Sequence, residues 1–387
     1  VNLDLGKDLL IWCGDCYQTS SFRWLLMVFH MVFLSPSGDF GKEILYYRRF
    51  LSLELRFCLE DWICFTRNQN LWDIKCRKVP RHCPDVSHLV FADDVIVFVN
   101  GSTSSLRKIM RVLELYQCAS GQLVNTSKSG FLIHPSVSLA RKSVIERITK
   151  FSKREFPIRY LGSPLFTGRC KGVYFTDLCQ QIVAKVLSWK NRLLSSGGKI
   201  ILIKHVLSSI PLHLLASAIL LKSSFRTIER VCANFLWGTT KDSNKFHWIR
   251  WRDLCYPPDK GGVRFRSIYD TYRAFSCKLW WNFRNGISLW ALFLRAKYCH
   301  FSHPCQVSMV STSSATWRRM LDIRGFAELF MTWRPYNGNC HFWYDNWMGS
   351  GAFYLRVEMH EHLSFQNFVA NGAWNRRLLA QVLPFDI

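Results

Sequence analysis

Residues Ser87 to Gly101 read S-H-L-V-F-A-D-D-V-I-V-F-V-N-G, two apolar runs around a pair of adjacent acids. Leu89 to Phe91 and Val95 to Val99 are too short for helices and rich in β-favouring side chains, so they predict two strands. Ala92-Asp93-Asp94 between them predicts a tight hairpin turn. Two readings of the acids are open. Asp is a common turn residue because its carboxylate bonds nearby backbone. Alternatively, two neighbouring carboxylates on a stiff apolar hairpin repel each other unless divalent cations neutralise them. Mg²⁺ favours hard oxygen ligands together with substrate phosphates, and a two-metal site needs its carboxylates on rigid elements. The pair by itself does not choose.

Charge narrows the partners. The 387 residues carry 51 Lys and Arg against 27 Asp and Glu, a formal net charge of +24. Such an excess points to a polyanion, nucleic acid first. A membrane surface is the runner-up, but no isolated basic amphipathic helix stands out, and no membrane partner is expected. The chain is long enough for two or three domains, and its 49% apolar content excludes a disordered polymer. Fifteen cysteines without a secretory leader predict reduced thiols and an intracellular location, nuclear or cytoplasmic. Phe22 to Leu34 is apolar but interrupted by Arg23 and His30, and too short to span a bilayer. The opening V-N-L-D-L-G-K-D shows no signal-peptide pattern, and its initial Val suggests a fragment.

Residues 1–76 fit neither the helical nor the strand period, as Tyr46-Tyr47-Arg48-Arg49 illustrates. Cys13 and Cys16 form a lone C-x-x-C with no second pair at zinc-finger spacing. Order appears from Val79. Ser104 to Leu115 predicts a helix with Leu106, Ile109, Met110 and Leu113 on one face, capped by Ser104 or Ser105. A strand over Gly130 to His134, a helix over Leu139 to Phe151, and a strand and turn over Tyr160 to Leu165 follow. Residues 173–237 read as mostly helical. One helix spans Asp177 to Leu194 and is broken by Gly197-Gly198; another spans Lys199 to Leu215 and is kinked or ended by Pro211. Lys185, Lys190, Arg192, Lys199 and Lys204 recur through these helices, either as a solvated face or as phosphate contacts. The last section holds Trp280, Trp281, Trp290, Trp317, Trp333, Trp343 and Trp347. Base stacking is open to them, and core packing is the expected role for most.

The order of signals is specific. F-A-D-D at Phe91 to Asp94, G-x-x-x-N-x-x-K-S at Gly121 to Ser129, Y-L-G at Tyr160 to Gly162, and W-K-x-x-x-L-S-x-G-G-K at Trp189 to Lys199 occur in turn. Together they resemble the reverse transcriptase of plant LINE-type (non-LTR) retrotransposons. The similarity runs from about Val79 to the end, where W-Y-D-N-W at Trp343 and N-G-A-W-N at Asn371 resemble the region after the thumb. The resemblance implies an α+β fold: a partial palm, an antiparallel hairpin with packed helices, over 77–170. A mostly helical thumb over 171–240 and a Trp-rich region over 241–387 would follow. It implies that Asp93 and Asp94 hold two Mg²⁺ ions, and that Lys128 lies close to the phosphates of an incoming deoxynucleotide. Tyr160, Leu161 and Gly162 would position the primer end. The thumb bases would follow an RNA template paired to a DNA primer. The family also needs a third carboxylate from an upstream strand, in a D-x-x-K-A-[FY]-D block that Val1 to Lys7 only imitates. Asp4 is the candidate, the two-ion site is incomplete, and the fingers are absent.

The family's R-G-L-R-Q-G-D-P block is missing as well, yet Asp39 to Leu45 can be coded GAC TTC GGC AAG GAG ATC CTT. Read from its third base, that string spells L-R-Q-G-D-P. Leu55 to Cys64 permits A-E-V-L-S-R-G-L-D-L at the same offset, and Met27-Val28 permits V-N-G. Residues 21–64 are therefore expected to be out of frame and not to pack as palm strands. The expected protein is a truncated, inactive RNA-directed DNA polymerase homologue. Its rivals are a nucleic-acid-binding remnant without chemistry and a structural domain with an incidental D-D turn. Sequencing the transcript tests the frame: its codons should spell both strings at that offset, and the hypothesis fails if they do not.

Overall fold

Trp24 to Phe33, W-L-L-M-V-F-H-M-V-F, is apolar at every position but His30, the pattern of a strand flanked on both edges. A computed structural model places it so. The structure describes residues 24–33, 88–91, 94–120, 122–166, 171–190, 194–238, 245–286, 288–300, 302–311, 313–334, 340–355, 365–370 and 372–382. Asp4, Cys13, Cys16, Tyr46 to Arg49, Asp93, Gly121 and Arg192 lie outside the described residues, as does most of 21–64. The chain divides into two compact units, 1–246 and 247–387. Its fold is α+β.

In the first unit β1 (Trp24–Phe33) is followed by the hairpin β2 (His88–Phe91) and β3 (Asp94–Asn100). Next come α1 (Thr103–Ser120), β4 (Gln122–Val124), β5 (Gly130–Leu132), α2 (Leu139–Thr149) and the short β6 (Ser152–Lys153). The sheet order is β2-β3-β1-β5-β6, with β4 also paired to β1. Strand β1 pairs with β3 from Trp24↔Asn100 to His30↔Asp94. Strand β1 lies inside the segment 21–64, whose apolar runs are not expected to pack as palm strands, and it joins the two halves of this sheet. The physical reason is composition. A largely apolar run rich in β-favouring residues pairs readily with two open strand edges.

Helices α1 and α2 cover one face of the sheet. Met27, Val95, Val99 and Phe131 from the strands pack with Leu106, Ile109, Leu113 and Tyr116 of α1 and Ile145 of α2. The expected face of α1 is the one buried, but its cap is Ser102 rather than Ser104 or Ser105: the Ser102 hydroxyl accepts from the Ser105 N–H at 3.2 Å. Helix α2 is capped by Ser138, which accepts from the Arg141 N–H.

The hairpin β7 (Ile158–Tyr160) and β8 (Ser163–Leu165) leads to the helical part of this unit. There lie α3 (Thr176–Lys190), α4 (Ser196–Leu202), α5 (Leu212–Ser217) and α6 (Lys222–Trp237). Gly197 and Gly198 do not separate the helices as expected. They sit in the first turn of α4, where Ser195 accepts from the Gly198 N–H at 3.2 Å. Helix α4 runs on as a π-helical turn, Ile203–Leu207, and stops before Pro211, as the proline predicts.

The second unit contains α7 (Trp251–Leu254), α8 (Ile268–Asn285), α9 (Leu289–Leu294) and α10 (Ala315–Leu329). It ends with α11 (Phe365–Phe368), the two-residue strands β9 (Val369–Ala370) and β10 (Ala373–Trp374), and α12 (Arg376–Val382). Trp280, Trp290, Trp317 and Trp343 are buried, the core role expected for most of the tryptophans. A charged network lies among them. Arg284 of α8 pairs with Glu328 of α10 at 2.8 Å and with Asp345. Trp280 Nε1–H donates to Glu328 at 2.6 Å, and the His341 N–H donates to Asp345 at 2.8 Å. His303 Nε2 lies 3.3 Å from Asp345 while its Nδ1 accepts from the Cys305 N–H. Burial lowers the His303 pKa to about 4, outweighing the Asp345 hydrogen bond that raises it, and the Arg284 guanidinium lowers it further. Burial pushes the Asp345 carboxyl up, but His303, Arg284 and the His341 N–H hold it well below the usual carboxylate range. Such a network is costly to break by removing one partner, on the order of 3–5 kcal/mol.

Both shifts have the same sign for stability. His303 protonates more readily in the unfolded chain, so its contribution is whole above pH 6.5 and lost as the pH falls from there towards 4. Asp345 adds its own loss below the ordinary Asp range. The thermal midpoint of the second unit's transition is expected to fall between pH 7 and pH 4, with a shallower fall in His303→Gln. An equal slope in the variant would refute the assignment.

Candidate functional site

The hairpin that carries the acids forms as the sequence predicts. Phe91 pairs with Asp94, and Asp94 opens β3, half-buried. Because alternate residues face opposite sides, Asp94 lies on the face away from Val95 and Val99, which pack under the helices. The acid is thus on a strand end of a stiff sheet and outside the helix-packed core.

Register then decides what lies near it. On one edge of β1, His30 is paired with Asp94. On the other edge, β4 runs antiparallel as far as Met31↔Val124, and β5 resumes at Val28↔Gly130. Residues 125–129, N-T-S-K-S, therefore bulge out opposite Phe29 and His30 only. Asp94 and the bulge bearing Lys128 flank the same row of the sheet, with β1 between them. Two strand spacings put the bulge's base about 10 Å from Asp94.

The bulge has its own scaffold. The Asn125 carboxamide oxygen accepts from the Lys128 N–H at 3.0 Å and from the Ser127 hydroxyl at 2.7 Å. The Ser129 N–H donates to the Asn125 carbonyl, and Arg154 donates to the Ser127 carbonyl at 2.6 Å. Gly130 is required where the bulge rejoins the sheet, since a Cβ there would lie 2.4 Å from the Arg154 side chain. Lys128 itself is exposed, its side chain left to solvent by this backbone arrangement.

Tyr160, Leu161 and Gly162 lie at a second tight turn. Tyr160 pairs with Ser163, and Leu161 and Gly162 both have positive φ, 49° and 77°, the requirement of a type I′ turn. Gly162 adopts this without cost; Leu161 does not. An interaction that no local pattern announces holds it there. His213 of α5 donates from Nε2 to the Leu161 carbonyl at 2.7 Å, and Ser163 and Ser217 hydroxyls meet at 3.3 Å. The Y-L-G turn is thus fastened to the helical part of the unit. Tyr160 is buried, so it supports the turn and does not reach outward.

The basic residues are more scattered. Lys185 on α3 is exposed, whereas Lys199 on α4 and Lys204 on the π-helical turn are half-buried. Lys190 ends α3, and its side chain, like Arg192, lies outside the described residues. Among the described residues no three Asp, Glu, His or Cys side chains group closely enough to hold a metal ion. Strand β1, the upstream neighbour of β3, contains no Asp or Glu. No described helix is long and apolar enough to cross a membrane.

No family model matches the chain. A protein of Arabidopsis thaliana named as a candidate ribonuclease H protein is 28% identical to it over 218 residues. The match covers 54% of this chain, which spans 35% of the length of that relative.

The N-T-S-K-S bulge rests on one side chain. Asn125→Ala removes two acceptor bonds and should cost about 1 kcal/mol, with faster amide exchange at Lys128 than elsewhere in the sheet. Unchanged exchange at Lys128 would mean that the bulge is held by other contacts.

Proposed function

We propose that the chain is a reverse-transcriptase homologue of non-LTR retrotransposon type that grips template-primer nucleic acid and does not extend it. The observation that carries this reading is the register at His30. Asp94 and the Lys128 bulge flank one row of a sheet, the relation a palm needs between its acidic hairpin and the residue facing the nucleotide phosphates. The strand between them, where an upstream carboxylate belongs, offers His30 in its place. Under this reading Asp93 and Asp94 are the residual metal ligands, and Mg²⁺ binding is incomplete. Tyr160, Leu161 and Gly162 shape the primer-end turn through the His213 contact. Lys185, Lys199 and Lys204 supply phosphate contacts, as do Lys190 and Arg192. The net charge of +24 favours polyanion binding whatever the chemistry. The Arabidopsis relative, named as a ribonuclease, is consistent with a nucleic-acid-directed ancestry.

The rival reading is an active polymerase, for which the formed acidic hairpin is the favouring observation. A primed RNA template, deoxynucleotides and Mg²⁺ separate them. The purified 387-residue chain should bind the template-primer with strong salt dependence and incorporate nothing. Replacing Lys185, Lys199 and Lys204 by Gln should flatten the slope of log K against log salt by roughly 0.9 for each phosphate no longer neutralised. Incorporation abolished by Asp94→Asn would establish the enzyme instead. Absence of binding at moderate salt would leave only a structural domain.

A further inference from the structure

Four of the ten tryptophans in residues 247–387 are buried, and Trp281 is not among them. It lines an open cleft of about 320 Å³ between α8 and α10, with Cys277, Lys278, Ala327, Phe330 and Met331. We propose that this cleft takes unpaired bases of a single-stranded nucleic acid, a second binding surface separate from the basic helices of the first unit. The proposal rests on the reading that the chain binds nucleic acid, and it adds where and in what form.

Three observations point there. The rings are in water: Trp281 is 41% exposed, Phe326 is 42% exposed and Phe330 is 75% exposed. They adjoin one another, since Phe326 and Phe330 lie 5.0 Å apart between ring centres and Trp281 tilts against Trp333 at 6.0 Å. Trp281 and Phe330 line the cleft together, and exposed aromatic rings are surfaces on which bases stack, whatever their identity.

Cations frame the platform. The Arg273 guanidinium lies 4.3 Å above the Phe326 ring centre, a stacked arrangement, and Lys278 contributes to the cleft wall. Residues 247–387 carry 17 Lys and Arg against 9 Asp and Glu. Two of those acids, Glu328 and Asp345, are committed to the buried network. Asp270 on α8 and Asp322 on α10 do not line the cleft.

The cations also argue against an apolar protein partner. A hydrophobic helix laid over Trp281 and Phe330 would press Arg273 and Lys278 against low-dielectric surface at a desolvation cost. A base stacked on the same rings carries a phosphate outward to those cations. Stacking is blind to the sugar, so RNA and DNA single strands are equivalent ligands for this surface.

Phe330 is the residue to change, because an exposed ring can be lost without emptying a core. With the full chain, binding of a fluorescent twenty-nucleotide oligo(dT) or oligo(U) should weaken roughly tenfold in Phe330→Ser. Binding of a blunt duplex of equal length should not change. Photo-crosslinking of a 5-iodouridine oligonucleotide should label peptides containing Trp281 or Phe330. Equal affinities for the single strand in both proteins, or labelling elsewhere, would overturn the proposal while leaving duplex binding and the reading above intact. No binding of either nucleic acid would overturn both. Loss of self-association in Phe330→Ser, with oligonucleotide binding unchanged, would assign the face to a second copy of the chain and also reject the proposal.

Discussion

The pairing of β1 on both its edges is the interaction on which the first unit depends. Without it the acidic hairpin is a two-stranded ribbon, which is marginal by itself in water. The N-T-S-K-S bulge would then belong to a different edge. With it, backbone hydrogen bonds fix the two motifs in one register, and α1 and α2 gain a continuous apolar surface through Met27, Val95 and Phe131. A slip of one residue in β1 would turn Met27 out of that surface and move Asp94 away from the row of the bulge. The position of every candidate residue in the sheet follows from that single strand.

The second unit solves a different problem. Its helices meet through aromatic packing and a charge network in which Arg284 serves two carboxylates at once. Glu328 and Asp345 are nearly closed to solvent, so the network belongs to the scaffold and not to a reaction site. It also explains why so many rings are spent on packing: Trp280 shares Glu328, while Trp333 lies under the Arg284 guanidinium at 4.6 Å. With the core so supplied, rings left outside, such as Phe330, invite a separate explanation.

The candidate residues of the first unit are held in separate ways. Asp94 opens a strand paired on both its edges, the backbone at Lys128 is braced by Asn125, and the Y-L-G turn is tied to α5 through His213. Strand β1 lies beside β3, and its sequence is apolar except for His30.

Local pattern was enough to reveal the acidic hairpin, the buried face of α1, the strand-turn-strand at Tyr160 to Leu165, the helical run after 173 and the core role of most tryptophans. Each is encoded by neighbours within a few residues, through side-chain period and turn chemistry. The same local pattern misjudged Trp24 to Phe33, because an almost wholly apolar run has no period and its place depends on edges supplied by residues far along the chain. It placed the cap of α1 two or three residues late and made Gly197-Gly198 a break, since Ser102 and Ser195 decide those ends by hydrogen bonds that composition does not show. The juxtaposition of Asp94 with the Lys128 bulge, the grip of His213 on Leu161 and the Arg284 network join residues 34 to 61 positions apart. Sequence determined which segments would be strands, turns and helices; only the tertiary structure decided which of their charged groups would meet, because that is set by register and packing between distant elements.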